Sequence, residues 1–306
     1  MSFWENGLKA KVMSTELIIE ANVSKKILFE ALALVKEFEL KYSAYKDDSL
    51  LCKINRLSGK EKVQCSQKEL EIFHKAKGIA EKSFGLFDPT IGALTQGLYG
   101  FGKASAKIPT KKELASRQKL VNYKDIVLDA KSIYLKQVGM KLDLGGIGKG
   151  YIADEIFSFL ESRGATKILI SVGGEILSSG KEYSVAIKNP FTEGNSAIIT
   201  TTKESLSIST SGDYERFIGS KEHHHILESS SAKQKHYYSS ITLLKSGVDA
   251  TQLDGVATIA FNSPLEDLSS VALKFGVAII AITPKKQIVF ENFQDIELKS
   301  FEIYPF

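Results

Sequence analysis

The chain has 306 residues, 43% hydrophobic and 25% charged, the balance of an ordinary globular protein with material for a sizeable core. This excludes a disordered chain, a collagen-like repeat and a disulfide-stapled miniprotein. Forty lysines and arginines against 36 aspartates and glutamates leave +4, too little over this length to mark a nucleic-acid binder. Length alone leaves two lobes or one large domain open. Cys52 and Cys65 lie in no CxxC or His/Cys cluster, so they read as unpaired buried thiols rather than a disulfide or a zinc site. No run approaches the ~18 apolar residues of a membrane span, and the first residues carry neither the basic nor the apolar region of a leader.

In chain order, Val12–Asn22 reads as a strand around Leu17, Ile18 and Ile19. Ser24 is placed to cap a helix running to about Tyr42, with Ile27, Ala31, Leu34, Val35 and Phe38 at spacings of three and four. Ser66-Gln67-Lys68-Glu69 is a capping box before a helix that Gly85 stops, and Thr110-Lys111-Lys112-Glu113 repeats the box before a shorter one. Ile126-Val127-Leu128 and Ile133-Tyr134-Leu135 flank a turn and predict a hairpin. A helix is expected from about Tyr151 to Arg163, then strands at Ile168–Val172, Tyr183–Ile187, Ala197–Thr202, Ser207–Ser211 and Ser239–Lys245. A helix near Leu265–Phe275 and strands at Val277–Ile282 and Gln287–Phe290 follow. Strands mixed with helices, without strict alternation, indicate an α+β fold of mixed or antiparallel sheets with packed helices.

Four segments carry chemistry. Leu142-Asp143-Leu144-Gly145-Gly146-Ile147-Gly148-Lys149-Gly150 runs from a short strand through four glycines into a helix. Glycines admit close backbone approach and a helix start offers N–H groups to phosphate, although the spacing is neither a P-loop nor a dinucleotide fingerprint. Phe87-Asp88-Pro89-Thr90-Ile91-Gly92 with Leu98-Tyr99-Gly100-Phe101-Gly102 interleaves aromatic residues and glycines and could wall a flat ring. In Gln252-Leu253-Asp254-Gly255-Val256-Ala257-Thr258, a helix would set the Asp254 carboxylate and the Thr258 hydroxyl on one face, hard oxygen ligands suited to magnesium. Asp254 is expected to face the surface, so that its loss would cost little stability. His223-His224-His225 cannot converge on one metal from a strand, because alternate side chains point to opposite faces; a single histidine acting as a base is the better chemistry. Taken singly, each segment has a plain structural reading: a tight turn, a packed loop, a helix cap, a strand.

Together the segments resemble the ApbE family of FAD:protein FMN transferases, from about Met13 to about Thr283. Met13-Ser14-Thr15 stands where the family has Met-Gly-Thr, and Tyr45 to Asn55 is similar to its Tyr…Ser…Asn segment. Phe87–Gly92 and Tyr99–Gly102 resemble FDPT-G and WGFG, and Leu142–Asp154 resembles DLGGIAKGYAAD. Val172-Gly173-Gly174-Glu175, Ser209–Tyr214, His225-Ile226 and Asp254…Thr258 complete the set of blocks, all in the family's order. The sequence departs from the pattern at Tyr99 for tryptophan, at Gly255 for alanine, and at Glu228-Ser229 for Asp-Pro.

The resemblance implies an ApbE-like, T-fold-related single unit over 1–306 that could divide into two lobes. It implies magnesium-dependent transfer of FMN from FAD to a threonine or serine hydroxyl of a target flavoprotein subunit, with AMP leaving. On this pattern Asp254, Thr258 and the Gly146 carbonyl hold the metal. Met13, Tyr45, Tyr99, Gly100, Phe101, Asp143, Lys149 and Ile226 bind FAD, and His225, the histidine directly before the isoleucine, is the base. A hydrolase splitting FAD to FMN and AMP, and an FAD-binding protein without a protein target, remain the alternatives. The family also implies a periplasmic or membrane-anchored protein whose leader lies outside this sequence, a cytoplasmic one being left open.

Overall fold

The computed structural model describes every residue except Glu5, Gly102–Ala104, Glu215 and Pro305, and only the backbone of Phe3 and Trp4. Gly102, the last glycine of the Tyr99–Gly102 block, therefore lies outside the described residues. The chain forms two compact units from interleaved segments: one from 1–39, 147–212 and 237–306, the other from 40–146 and 213–236.

The first unit is built on a nine-stranded sheet. In spatial order its strands are Ser2–Trp4, Gly7–Val12, Thr15–Ala21, Ile168–Val172, Glu175–Ser179, Leu206–Gly212, Ser240–Ser246, Ala278–Ile282 and Ile288–Glu291. Every neighbouring pair is antiparallel, the arrangement that short turns between consecutive strands allow. Both faces of the central strands are covered. Leu206, Ile208, Leu244, Ala278 and Ile280 pack against a second antiparallel sheet of Leu298–Ile303, Asn195–Thr201 and Ser184–Lys188. The helices Gly148–Ser162 and Ala250–Asn262 pack on one another and on the large sheet. This explains why Ala278–Ile282 is buried at every position and reads as a continuous apolar run.

The second unit holds the helices Leu50–Arg56, Gln67–Lys82 and Lys111–Gln118. It also has a three-stranded sheet of Val63–Gln64, Ser132–Leu135 and Ile126–Asp129 and a ribbon of Phe217–Ile218 with Ser220–His224. Both capping boxes form: Ser66 and Thr110 accept from the Glu69 and Glu113 amides, and each glutamate reaches back. The predicted hairpin pairs Ile126 with Leu135 and Asp129 with Ser132.

Several boundaries differ from expectation. The strand expected from Val12 is two, Gly7–Val12 and Thr15–Ala21, joined by a turn at Met13 and Ser14, both with positive φ. The helix expected from Tyr151 begins at Gly148, and the one near Leu265 opens with a single 3₁₀ turn before Leu268–Phe275. No strand forms at Leu142–Leu144; only an isolated bridge joins Lys141 to Ile91. Both cysteines are free, and Cys52, expected to be buried, is partly exposed. Among the described residues, no helix is long and apolar enough to cross a membrane.

Candidate functional site

In the first unit the glycine-rich turn and the Asp254 helix meet at close quarters. Gly150 lies so near the start of Ala250–Asn262 that a Cβ there would stand 2.1 Å from the Ala250 carbonyl oxygen. Only glycine permits that approach, and it brings the helix start onto Asp254. The Gly150 amide donates to Asp254 Oδ2 at 3.1 Å, so this N–H, expected to be open to phosphate, is already taken. Lys149 Nζ lies 2.6 Å from Asp254 Oδ1 and 3.0 Å from Glu175 Oε1.

Two further acids set the Asp254 helix. Asp154, in the second turn of Gly148–Ser162, accepts the Ala250 and Thr251 amides, each at 2.9 Å. Asp249 caps the helix from within and pairs with Lys245 at 2.5 Å. The bonds to the Ala250, Thr251 and Gln252 amides satisfy three donors that a helix start leaves without intrahelical partners.

The electrostatics of this cluster are unusual. Asp254 is only 2% exposed and Glu175 is fully buried, which corrects the expectation of a surface-facing Asp254. Losing Asp254 would remove two charged hydrogen bonds from the interior, each worth about 1.5–3 kcal/mol. Burial and the Asp254 carboxylate push the Glu175 carboxyl up against the pull of Lys149. Burial opposes the Lys149 charge, but Asp254 and Glu175 outweigh it and raise that pKa. Glu175 Oε2 and Ser209 Oγ, on directly paired residues of neighbouring strands, are both buried, and the serine hydroxyl pulls the Glu175 pKa down against burial. Thr258 follows Asp254 by one helical turn and is partly exposed. A carboxylate and a hydroxyl are hard donors, Asp254 already holds a cation in the Lys149 ammonium, and the buried Glu175 carboxylate meets the same ammonium. These residues fit a magnesium ion.

In the second unit, Asp143 is held on both oxygens: Oδ1 accepts the Gly145 amide at 2.8 Å and Oδ2 the Thr95 hydroxyl at 2.5 Å. Asn55 grips Leu142 from both sides, donating to its carbonyl at 3.0 Å and accepting its amide at 2.7 Å. Ser49 caps the helix that carries Asn55. Tyr45 is half-exposed and donates to the Phe101 carbonyl at 2.9 Å. Asp88 accepts from the Thr90 amide and hydroxyl and from the Tyr123 amide, while Thr90 accepts the Asn122 amide. Here the Phe87–Thr90 block is a clamp on its own unit.

The histidine run divides as strand alternation requires. His224 is fully buried and its Nε2 lies 3.0 Å from the Lys235 carbonyl. His225 is partly exposed, and its Nδ1 lies 3.1 Å from the Arg216 carbonyl oxygen. A carbonyl can only accept, so neutral His225 carries its proton on Nδ1 and presents Nε2 as the acceptor nitrogen. No group of three or more His, Cys, Asp and Glu that could hold a metal is found among the described residues.

A model of the ApbE family matches residues 12–281. The chain belongs to the ApbE family. It is 28% identical over 275 residues to the FAD:protein FMN transferase of Klebsiella pneumoniae, covering 88% of this chain and 86% of that one. The FAD:protein FMN transferase of Treponema pallidum is 28% identical over 285 residues, 85% of this chain and 78% of the other. The crystal structure of the ApbE protein of Thermotoga maritima superimposes with a TM-score of 0.85 at 26% identity, covering 94% and 96% of the two chains.

This ApbE-family chain distributes its expected site residues between the units. Met13, Lys149, Asp254 and Thr258 lie in the first; Tyr45, Tyr99, Gly100, Phe101, Asp143, Gly146, His225 and Ile226 lie in the second. Lys149 and Asp254 are in direct contact. Tyr99 and Phe101, expected to wall a flat ring, stack on one another at 4.9 Å and close a core with Leu94, Leu227 and Ala232. Ile226 is buried as well, Gly100 turns the chain at φ +63°, and Gly146 and Met13 are partly exposed. Sequence reasoning missed Glu175, Asp154 and Asn55 as working parts. All three close or sit within quoted blocks, but a contact from Glu175 to Lys149 spans 26 residues and no local period reports it.

Proposed function

We propose that this chain transfers FMN from FAD to a threonine or serine hydroxyl of a target protein and releases AMP. Family membership gives the reaction class. The observation that carries it to these residues is the buried Asp254, fixed by the Gly150 amide and paired with Lys149 of the same glycine-rich block.

The target hydroxyl oxygen bonds to the FMN phosphorus, and the bond from that phosphorus to the bridging oxygen breaks, leaving its electron pair on AMP. His225 Nε2 takes the hydroxyl proton; its ring is oriented by Nδ1 on the Arg216 carbonyl. Asp254 and Thr258 would hold a magnesium ion, which when bound supplies charge neutralisation on the pyrophosphate oxygens. Lys149 adds positive charge beside them, and Asp143, locked by Thr95 and Gly145, orders the segment that precedes the glycines.

A second reading is hydrolysis, with water in place of the hydroxyl. It is favoured by the segment after Ile226, where the family's Asp-Pro is Glu228-Ser229 and Glu228 folds back onto Lys233 and Lys235. Incubation with FAD, magnesium and a candidate flavoprotein subunit separates the two. An FMN adduct on the target with AMP in equal amount supports transfer, and AMP with free FMN supports hydrolysis.

A further inference from the structure

The Lys149 ammonium holds the Asp254 oxygen that a metal ion on this carboxylate would need. Its nitrogen is 2.6 Å from Asp254 Oδ1, and Mg–O bonds are roughly 2.1 Å, so a divalent ion on that oxygen and an ammonium left in place would repel one another at short range. Lys149 therefore has to leave Asp254 for a metal to bind there. Among the described residues, the acid that already shares it is Glu175. Glu175 already holds Nζ at 3.0 Å through Oε1. Its second oxygen, Oε2, is buried, and the Ser209 hydroxyl directly across the strand pair, buried as well, favours the charged carboxylate by hydrogen bonding. Glu175 is fully buried at the start of Glu175–Ser179. Its position is fixed by Gly174, whose missing Cβ lets the Thr210 carbonyl come within 2.4 Å of where it would be.

We propose that Lys149 is the resident cation of the Asp254 site, competing with the metal, and that Glu175 with Ser209 is the seat to which it withdraws when the metal binds. Glu175 is then a positioning residue: it acts on the metal through Lys149. The inference rests on the magnesium reading of Asp254. It assigns Glu175 and Ser209 a part in loading the site, and it makes metal affinity depend on a lysine that is not itself a ligand.

The test is binding of Mn²⁺ alone, followed by its EPR signal and by titration calorimetry, on the full chain without FAD or AMP. Lys149→Met removes the competitor and should tighten Mn²⁺ binding at least about tenfold, the weight of one ion pair. Glu175→Gln removes the alternative seat and should weaken binding about tenfold. In the Lys149→Met background the same Glu175→Gln change should matter less than about threefold, because its effect runs through the lysine. Lys149→Gln serves in place of Lys149→Met if the latter loses its cooperative unfolding transition. Equal effects of Glu175→Gln in both backgrounds would make Glu175 a direct or long-range electrostatic contributor and overturn the proposal. So would Lys149→Met binding Mn²⁺ no better than the wild type. Failure of the underlying reading looks different: the wild type would bind no Mn²⁺, or Asp254→Ala would bind it unchanged.

Discussion

Ser14 carries a backbone conformation that its side chain disfavours. It sits at φ +61° and follows Met13 at φ +48° in the turn between Gly7–Val12 and Thr15–Ala21. Both central residues of a two-residue hairpin turn with positive φ is the arrangement that glycine and asparagine serve best. Left-handed backbone costs a residue with a Cβ roughly 1–2 kcal/mol. Ser14→Gly should therefore raise the free energy of unfolding by about 1 kcal/mol, read from the urea midpoint at constant slope. An unchanged or lowered midpoint would mean that the strain is relieved by contacts of Ser14 itself.

Two neighbouring histidines should fail in different ways. His225→Ala should lower the transfer rate by about 10²–10⁴-fold, the usual worth of a general base, with FAD affinity nearly unchanged. His224→Ala should instead lower stability, since its ring is buried and bonded to the Lys235 carbonyl. Matching losses of rate with unaltered unfolding midpoints would remove the base assignment. His224 also predicts a pH dependence. Burial holds its pKa down to about 4, against an ordinary 6.5. Between those values the unfolded chain binds a proton that the folded ring does not, so this contribution to stability is complete above about pH 6.5. It is lost as pH falls toward about 4, with a slope of up to about 1.4 kcal/mol per unit. Chemical unfolding at pH 7, 5.5 and 4.5 on wild type and His224→Ala checks it; parallel curves would contradict it.

At the scale of elements, what the sequence made legible was whatever local chemistry decides. The Ser66 and Thr110 capping boxes, the 126–135 hairpin and the strand Ile168–Val172 form as their residues predict. What local chemistry does not decide was missed. Gly148–Ser162 starts three residues earlier than its apolar period suggests, because contact of Gly150 with Ala250 sets the start. Leu50–Arg56 is two turns long, too short for periodicity to declare, and depends on Ser49. Glu175–Ser179 opens on a buried glutamate, which breaks the apolar pattern of a strand. The candidate site was legible in the same uneven way: Asp254, Lys149 and His225 are named by spacing and resemblance, whereas the burial of Asp254 and the engagement of Glu175 are tertiary facts. One element-scale prediction follows from the tightest contact. Gly150→Ala would force the two helix starts apart and should destabilise by about 1–3 kcal/mol or more. An unfolding curve superimposable on wild type would show that the helices can shift freely.

At the scale of the whole molecule, the chain passes between its two units at 39/40, 146/147, 212/213 and 236/237. Two of these joints fall inside quoted blocks. Leu142–Gly146 belongs to one unit and Ile147–Asp154 to the other, and Ser209–Tyr214 divides after Gly212. A sequence scan sees each block as one string, which is why it could name the family without naming which residues share a unit. The nine-stranded sheet and its two helices give Asp254 a rigid setting, with amides, caps and strand register fixing it from several sides. Preorganised charge of this kind is what phosphoryl-group transfer asks of a protein.

The chain moves FMN onto protein. The most direct measurement is intact-protein mass spectrometry of a candidate flavoprotein subunit after incubation with this chain, FAD and magnesium, with AMP quantified in the same mixture. One FMN should be added per acceptor hydroxyl, with AMP in equal amount, and the adduct should be lost when that threonine or serine is replaced by alanine. AMP released together with free FMN across a panel of target proteins, none gaining mass, would contradict it.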